Sequence, residues 1–477
     1  MTSLSETSLL AGAAGAGDTG YTINKSLRFE DSAEHILHRR VDTTWQNKFT
    51  ISFWVKRNNL GLYNYIITWR DKRGSGYPFG EIKFRNDDKL EYFDYGTSID
   101  TNYPIYAVTN RVFRDPSAWY HIVMAINYAD FDAGDKRRFK MSVNGVRDTD
   151  FGTFTLSNQA AQSGASGAGA NYIQIGRLYA TTNYNCEAYL AEFNFIDGYD
   201  YGPEYFGEFD SNGIWIPKEY SETYSNQSFY LSFANGSDIG NDDSGNSKDF
   251  TAVGLAAADV VNDTPTNNHG TFNGLEASLR YTTTLSEGNK KINFASGSSG
   301  WSGTRLGLFR SNGKAYAEFK VNQAYSHVNG DGITIFVAND SSDSNSPVTA
   351  GGGTGSAKLE AAYNAIDGSI YDGTSSQGTG TTWNSVNAVI GVYIDFDNGK
   401  GWFSKDGTVQ TVNGTPNVNN GTNAHFTFTA NTPLTVGAGG VHFGTPGIVS
   451  LQNHEDEWDT APGGSYTPFS TLAEGEA

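Results

Sequence analysis

Two segments of the chain alternate apolar and polar residues through a strand, a turn and a second strand. In the first, residues 119–145, the side chains of Ile122, Met124 and Ile126 share one face of the predicted strand. A period of two is typical of a strand with one buried face. His121 lies on the opposite face, and the pattern therefore predicts a surface position for this histidine.

The second segment, residues 387–407, repeats this arrangement. The dipeptides Asn144-Gly145 and Asp406-Gly407 supply the positive φ that tight hairpin turns need. Two such hairpins, far apart in the chain, predict two separate antiparallel β domains.

Short strands with turn signals between them recur over most of the sequence, as in β-sandwiches. The predicted division is a flexible adaptor segment at 1–20, a β-sandwich at 21–201, a turn-rich connector at 202–278, a second β-sandwich at 279–450 and an irregular tail at 451–477. The predicted fold class is all-β, with two antiparallel sandwiches of the jelly-roll type.

Composition narrows the function classes. The 477 residues include 56 glycines and carry a net charge of −19, so a nucleic-acid partner is not expected. No stretch is long enough to insert in a membrane. The single cysteine, Cys186, excludes an intrachain disulfide, and the first 20 residues lack the basic region of a signal peptide. We therefore expect folding in a reducing cytosol and release by another route.

Two known families resemble parts of this sequence. The blocks SLRFEDSAEHI, FTISFWVKR, WYHIVMAINY, FKMSVNGV and NYIQIGRLY…AYLAEFNFIDG resemble the laminin-G/concanavalin-A-like lectin superfamily. GKAYAEFKV and NAVIGVYIDFDNGKGWFSKDG are similar to strands of SPRY (B30.2) domains. Both families are concanavalin-A-like sandwiches, and the resemblance implies two related domains in one chain.

The whole arrangement resembles virion proteins of tailed bacteriophages, especially marine ones. The blocks that carry this resemblance are SLLAGAAGAGDTGYTINKSLRF, GEFDSNGIWIPKEY, GNDDSGNSKDFT and NDTPTNN. It implies a virion location after assembly in the host cytoplasm, with other virion proteins and host cell-surface polysaccharide as partners. A homo-oligomer is expected, and trimers are common among fibres, although no coiled-coil heptads are present.

The leading functional hypothesis is a non-enzymatic tail fibre, receptor-binding protein or capsid-attached appendage that binds host glycan through the loops of its sandwiches. A purely structural capsid decoration or tail scaffold is the second hypothesis, and a polysaccharide depolymerase is the third. A bacterial lectin or adhesin would require a secretion signal.

Glycan binding would use aromatic platforms on loops beside Asn, Asp and Gly. Core or loop packing is the alternative role for each of these aromatic residues. The candidates lie in or beside long loops of the two domains: Trp301, Tyr325, Tyr371 and Trp383 in the second, and Tyr77, Tyr179 and Tyr184 in the first.

No cofactor is expected, with calcium as the alternative because many laminin-G-like domains bind it. An Asx-rich turn is the other interpretation of the same residues. The densest cluster of hard oxygen ligands is Asp238, Asn241, Asp242, Asp243 and Asn246.

Glycoside hydrolases need two carboxyl groups that face each other across a cleft. Asp395 and Asp397 share one strand face, as do Glu208 and Asp210 if that segment is extended. However, the E-x-D-x-x-E signature is missing, and residues 397–399 are typical of a hairpin turn. The sequence therefore favours a protein that is not an enzyme.

Overall fold

Two compact units make up the chain, residues Met1–Asn268 and His269–Ala477. The helical segments bounded within the described residues are two 3-10 turns, Pro203–Tyr205 and Ala257–Asp259, and no described helix is long and apolar enough to cross a membrane. The structure is a computed structural model that describes residues 20–30, 34–41, 45, 48–71, 79–95, 105–128, 138–156, 171–178, 185–225, 227–274, 283–294, 301–325, 332–339, 359–441, 445 and 447–469.

The first unit is built from short strands that pair in an antiparallel manner. Its strands are β1 (Ser26–Phe29), β2 (Ile36–Val41), β3 (Lys48–Arg57), β4 (Asn64–Asp71), β5 (Phe79–Phe84), β6 (Lys89–Tyr95), β7 (Ile105–Val112), β8 (Trp119–Asn127), β9 (Phe139–Val143), β10 (Val146–Asp148), β11 (Phe151–Leu156), β12 (Asn171–Ile175), β13 (Ala188–Asp197), β14 (Gly207–Phe209), β15 (Trp215–Pro217), β16 (Phe229–Leu231), β17 (Thr251–Val253) and β18 (Val260–Val261).

These strands form two large sheets of eight strands each. The first sheet has the order β10-β9-β8-β3-β13-β1-β18, and β16 also pairs with β13. The second sheet has the order β11-β7-β6-β5-β4-β12-β2-β17, while β14 and β15 pair with each other alone. Side chains from both large sheets meet in one apolar core.

The predicted alternation positions the core face of the first sheet correctly. Ile122, Met124 and Ile126 of β8 are fully buried in this core. The opposite face of the sheet is buried too. His121 on this face is only 1% exposed, so the prediction that it lies at the surface is wrong. Later parts of the chain cover this second face.

The segment 202–278, predicted as a connector, is divided between the two units at residues 268 and 269. Its strands β16, β17 and β18 pair with β13, β2 and β1. The structure thus differs from the predicted division, because β17 and β18 are end strands of the two large sheets and β16 pairs with an inner strand of the first.

The second unit has the same general construction. Its strands are β19 (Thr284–Ser286), β20 (Lys291–Asn293), β21 (Trp301–Arg305), β22 (Lys314–Gln323), β23 (Thr334–Asn339), β24 (Leu359–Asn364), β25 (Ser369–Asp372), β26 (Ser375–Thr379), β27 (Val389–Asp395), β28 (Lys400–Lys405), β29 (Thr408–Val409), β30 (Phe426–Thr427), β31 (Leu434–Val441), β32 (Ile448–Gln452) and β33 (Thr467–Pro468).

A nine-stranded and a six-stranded sheet enclose the core of this unit. The larger sheet has the order β19-β20-β32-β22-β27-β28-β29, with β30 on β28 and β33 parallel to β22. The smaller has the order β21-β31-β23-β24-β25-β26. Strands β32 and β33 bring parts of the predicted 451–477 tail into the larger sheet. The predicted all-β fold class is confirmed.

Both predicted hairpin turns have the expected backbone. Asn144 and Gly145 have φ of 48° and 75°, and Asp406 and Gly407 have φ of 48° and 76°. The two central residues with positive φ match the turn type that suits the twist of paired strands.

Replacement of Gly145 by alanine should destabilise the first unit more than replacement of Gly61, a glycine of similar φ in open space. A Cβ atom at Gly145 would lie 2.2 Å from the Trp215 ring, whereas nothing lies within 4 Å of one at Gly61. We expect Gly61→Ala to cost about 1 kcal/mol through its positive φ, and Gly145→Ala about 1–3 kcal/mol more through overpacking.

The measurement is native-state hydrogen exchange of peptides from β8 and β9, which reports opening of the first unit alone. Equal losses in the two variants would contradict the close packing of Trp215 on this turn.

Candidate functional site

His121 anchors an aromatic layer on the second face of the first sheet. Its ring stacks on the Trp54 indole with a centroid separation of 4.6 Å, and it lies edge to edge with the Trp215 indole at a centroid separation of 5.9 Å. The turn residue Asn144 accepts a 2.7 Å hydrogen bond from the backbone N–H of His121. The hairpin turn, the histidine and Trp215 therefore form one packed group.

The hydrogen bonds of His121 indicate a structural role. The indole Nε1 of Trp215 donates to its Nδ1 at 2.9 Å, and its Nε2 lies 2.9 Å from the Ser52 hydroxyl. Because an indole only donates, the proton of the neutral ring is on Nε2. Burial lowers the pKa of His121 to about 3, so the ring is neutral at physiological pH.

A row of tyrosines continues this layer along the same unit. Neighbouring rings contact each other from one end to the other, with centroid separations between 4.2 and 6.2 Å. Several of them pack against the buried cluster of Val123, Ile196 and Phe206 on and beside the sheet. We call this row the tyrosine track; it consists of Tyr199, Tyr201, Tyr205, Tyr220, Tyr224 and Tyr230.

The first part of the track is fixed by the end of β13 and by one hydroxyl group. Gly198, with φ of 91°, turns the chain as β13 ends. The Thr50 hydroxyl then donates to the carbonyl of Tyr199 at 2.9 Å and accepts from the N–H of Tyr201 at 2.8 Å. Pro203 begins the short 3-10 turn that positions Tyr205. The backbone that carries the rings is therefore held to the sheet.

Tyr199 is the most exposed end of the track, with 47% of its surface accessible. One face of its ring stacks on Tyr201 at 5.1 Å and an interplanar angle of 3°. The carboxylate of the adjacent Asp200 accepts a 3.3 Å hydrogen bond from Asn127 and lies 3.7 Å from the Lys140 ammonium and 4.0 Å from that of Lys48. The exposed ring of Tyr199 thus belongs to the residue that directly precedes the aspartate of a small charged group.

The other end of the track meets the carboxyl group of Glu192. This residue has φ of 50° at the β-bulge of β13. The hydroxyls of Tyr21 and Tyr230 each donate to it at 2.7 Å. Burial raises the pKa of Glu192 to about 7, although the two tyrosine hydrogen bonds act in the opposite direction. The group therefore titrates near neutral pH.

The aromatic residues predicted to bind glycan do not form one surface. Trp383 and Tyr325 are 1% and 4% exposed in the core of the second unit, which agrees with the alternative role of core packing. Tyr371 on β25 is partly buried and packs beside Phe336. The side chain of Trp301 lies outside the described residues, as do Tyr77, Tyr179 and Tyr184.

The predicted calcium cluster is organised as an Asx-rich turn. The two carboxylate oxygens of Asp242 accept hydrogen bonds from the N–H groups of Tyr230, Ser244 and Lys248 and from the Ser244 hydroxyl. Four donors use the lone pairs that a cation would need. The amide NH₂ of Asn246 donates to the Ser225 and Ser228 carbonyls. The carboxylate of Asp243 accepts hydrogen bonds from Asn241 and Ser232. The side chain of Asp238 is exposed. The turn interpretation describes this segment.

Three of the four carboxylates considered for hydrolysis accept hydrogen bonds that close turns. Asp395 is buried and accepts from the N–H and amide of Asn398 at 3.0–3.1 Å. Asp397 accepts from the N–H of Gly313 at 2.8 Å, and Asp210 accepts from two N–H groups of its own turn. Glu208 is exposed on β14. The turn interpretation of residues 397–399 agrees with these bonds.

The sequence patterns did not predict the tyrosine track, because most of its residues lie in the predicted connector. The density of tyrosine in GYDYGPEYF was a visible signal. It could not show which rings would contact each other, since Tyr224 and Tyr230 join the row only through the fold.

Comparison with protein families gives a match for part of the first unit. Residues 30–198 match the model Laminin_G_3, described as the concanavalin A-like lectin/glucanases superfamily. The tyrosine track begins at the next residue and lies outside the matched range. Comparison with curated proteins gives no significant match.

Solved structures with a similar fold come from several organisms. The SPRY domain of human HERC1 is 15% identical over 38% of this chain and 96% of its own, with a TM-score of 0.27. A "putative carbohydrate binding protein" of Bacteroides ovatus is 13% identical over 52% of this chain and 63% of its own, with a TM-score of 0.35. The SAP-like pentraxin of Limulus polyphemus is 12% identical over 37% of this chain and 78% of its own, with a TM-score of 0.27. TM-scores below 0.5 carry no inference about ligands. The family match agrees with the predicted concanavalin-A-like class.

The carboxyl group of Glu192 should make the first unit less stable as the pH rises from about 4.5 to about 7. Between the ordinary pKa of 4.5 and the folded-state pKa of about 7, the folded state binds more protons than the unfolded state. Glu192→Gln should remove this loss of stability, which is on the order of 3 kcal/mol, since an amide can keep both tyrosine contacts.

The check is hydrogen exchange of β13 peptides at several pH values. Glu208→Gln, which changes an exposed carboxylate of the same unit, serves as the control and should keep the wild-type slope. If the stability of Glu192→Gln depended on pH as that of the wild-type chain does, the Glu192 carboxyl group would not be the cause of this dependence.

Proposed function

We propose that the chain is a non-enzymatic glycan-binding protein, and that the exposed end of the tyrosine track is its binding surface. The observation that carries the proposal is the exposed ring of Tyr199, stacked on Tyr201 on a backbone held by Thr50. The next residue in the chain, Asp200, lies within 4.0 Å of the Lys48 and Lys140 ammonium groups. This surface replaces the loop aromatics that the sequence indicated.

The chemistry of the surface suits a sugar ring. Aromatic rings bind the C–H face of a sugar, and charged side chains at the ring edge exchange hydrogen bonds with its hydroxyl groups. Because Tyr201 supports Tyr199 from behind, the outer ring is held in place before a ligand arrives. Such preorganisation lowers the entropy cost of binding.

The superfamily match of residues 30–198 supports a lectin-type role, since its description includes lectins. The same description includes glucanases. The turn hydrogen bonds of Asp395 and Asp397 support the non-enzymatic alternative, because these carboxylates stabilise backbone conformation.

A bacteriophage particle is the proposed setting, as a tail fibre, receptor-binding protein or capsid-attached appendage. The resemblance of several sequence blocks to virion proteins supports it, as does the presence of one cysteine in 477 residues. Host surface polysaccharide and other virion proteins are the proposed partners. Many copies on one particle would convert weak single-site binding into firm attachment through avidity.

Tyr199→Ala should weaken binding to polysaccharide on an array of bacterial surface glycans. Loss of one aromatic contact is worth about 1 kcal/mol, which corresponds to about a five-fold loss of affinity. Tyr63→Ala is the matched control, because Tyr63 is a 38% exposed tyrosine of the same unit. Isothermal titration of the best glycan on the array gives the affinities.

Three results would each contradict the proposal. They are no binding of any glycan by the wild-type chain, an equal loss in both variants, and release of reducing ends from the bound polysaccharide. The first would favour a structural role, and the last a depolymerase.

A further inference from the structure

The second unit contains a cluster of metal-binding side chains that has no part in the proposed glycan surface. One ligand atom from each of His269, His454 and Asp456 lies within 4.8 Å of the others. His269 is buried, His454 is partly buried and Asp456 is exposed, so one side of the cluster faces solvent. Within the described part of the chain, this is the group whose histidine, cysteine or carboxylate ligands converge in this way.

Glu457 orients His269 in the manner of a metal-binding histidine. Its carboxylate oxygen Oε1 lies 3.0 Å from the Nδ1 of His269. Because a carboxylate only accepts, the imidazole proton is on Nδ1, and Nε2 bears the lone pair. Metal-binding histidines usually donate their second nitrogen to a carboxylate or carbonyl in this way.

The Nε2 of His269 points toward the second ligand. It lies 3.8 Å from the Oδ1 oxygen of Asp456, beyond hydrogen-bond range. Two ligand atoms on one tetrahedral zinc ion are separated by about 3.4 Å, given metal–ligand distances of about 2.0–2.2 Å. A small inward movement of the exposed Asp456 would therefore complete this pair.

His454 is held close to the same point. It hydrogen-bonds through Nδ1 to the Oδ1 of Asp456, and its ring stacks on His269 at 4.2 Å. The turn that carries it is closed by a 3.0 Å bond from the N–H of Glu457 to the carbonyl of His454. Metal binding would displace the proton between His454 and Asp456 and rotate the His454 ring, since a ligand must present a bare lone pair.

The charges around the cluster suit a divalent cation. The ammonium of Lys290 lies 3.0 Å from the second oxygen of Glu457 and 2.6 Å from the side-chain oxygen of Asn453. Lys290 therefore compensates Glu457, and Asp456 adds a carboxylate beside the two imidazoles. Two imidazoles and one carboxylate favour zinc and similar transition metals over calcium, which prefers oxygen ligands alone.

We propose that His269, His454 and Asp456 form a binding site for one zinc-class transition metal ion, with Glu457 as a positioning residue. The site joins the beginning of the second unit to the turn after β32, and bound metal would fasten these two distant parts of the chain.

Isothermal titration of the tag-free, EDTA-treated full chain with zinc chloride tests the site. We expect one zinc ion per chain and a higher melting temperature, with calcium chloride giving neither. His454→Gln and Asp456→Asn should abolish the tight binding. Glu457→Gln should weaken it by about 10- to 100-fold.

His38→Gln is the matched control, because it removes a partly exposed histidine of β2 in the first unit. It should bind zinc as the wild-type chain does. The absorption spectrum of the cobalt complex provides a second readout and should show nitrogen and oxygen ligation that is lost in His454→Gln. Absence of zinc binding, or wild-type binding by both His454→Gln and Asp456→Asn, would overturn the proposal.

Discussion

The first unit depends on the burial of both faces of its central strands β3, β8 and β13. Nearly every residue of these strands is buried, including those that alternate away from the main core. Such a sheet cannot face water on one side, as antiparallel sheets often do. The chain after β13 therefore has to return across this face.

The returning segment is fastened by a few specific contacts as well as by apolar burial. The fully buried ammonium of Lys56 on β3 forms a 2.8 Å ion pair with Asp263, which also accepts from the Trp119 indole at 3.0 Å. Trp215 adds its hydrogen bond to the ring of His121, with which it lies edge to edge. Each large aromatic side chain buried in this way contributes on the order of 1.5–3 kcal/mol. The tyrosine track belongs to this covering layer, and its end at Tyr199 reaches solvent.

Local patterns were sufficient to predict the hairpins and the inner faces of the strands. Alternation identified Ile122, Met124 and Ile126 as core residues, and Asn144-Gly145 identified the turn, because both signals act between near neighbours. The same patterns could not predict that the opposite face of the first sheet is buried as well. His121 is polar in sequence, and its burial involves contacts with residues distant in the chain, among them Trp215.

The candidate sites depend on contacts of even longer range. Trp383 lies next to a long loop in sequence, yet it packs into the core of its unit, which no loop pattern predicts. His269 and Glu457 are 188 residues apart, and their contact follows from the pairing of strands across the second unit. Both units thus place reactive or aromatic side chains where chain segments distant in sequence meet.

The central claim is that the covering layer of the first unit presents a glycan-binding surface at its exposed end. Hydrogen–deuterium exchange of the full chain with and without a bound surface polysaccharide tests it most directly. We predict new protection in peptides spanning residues 198–205. Protection confined to peptides of the second unit, with none in 198–205, would contradict the account.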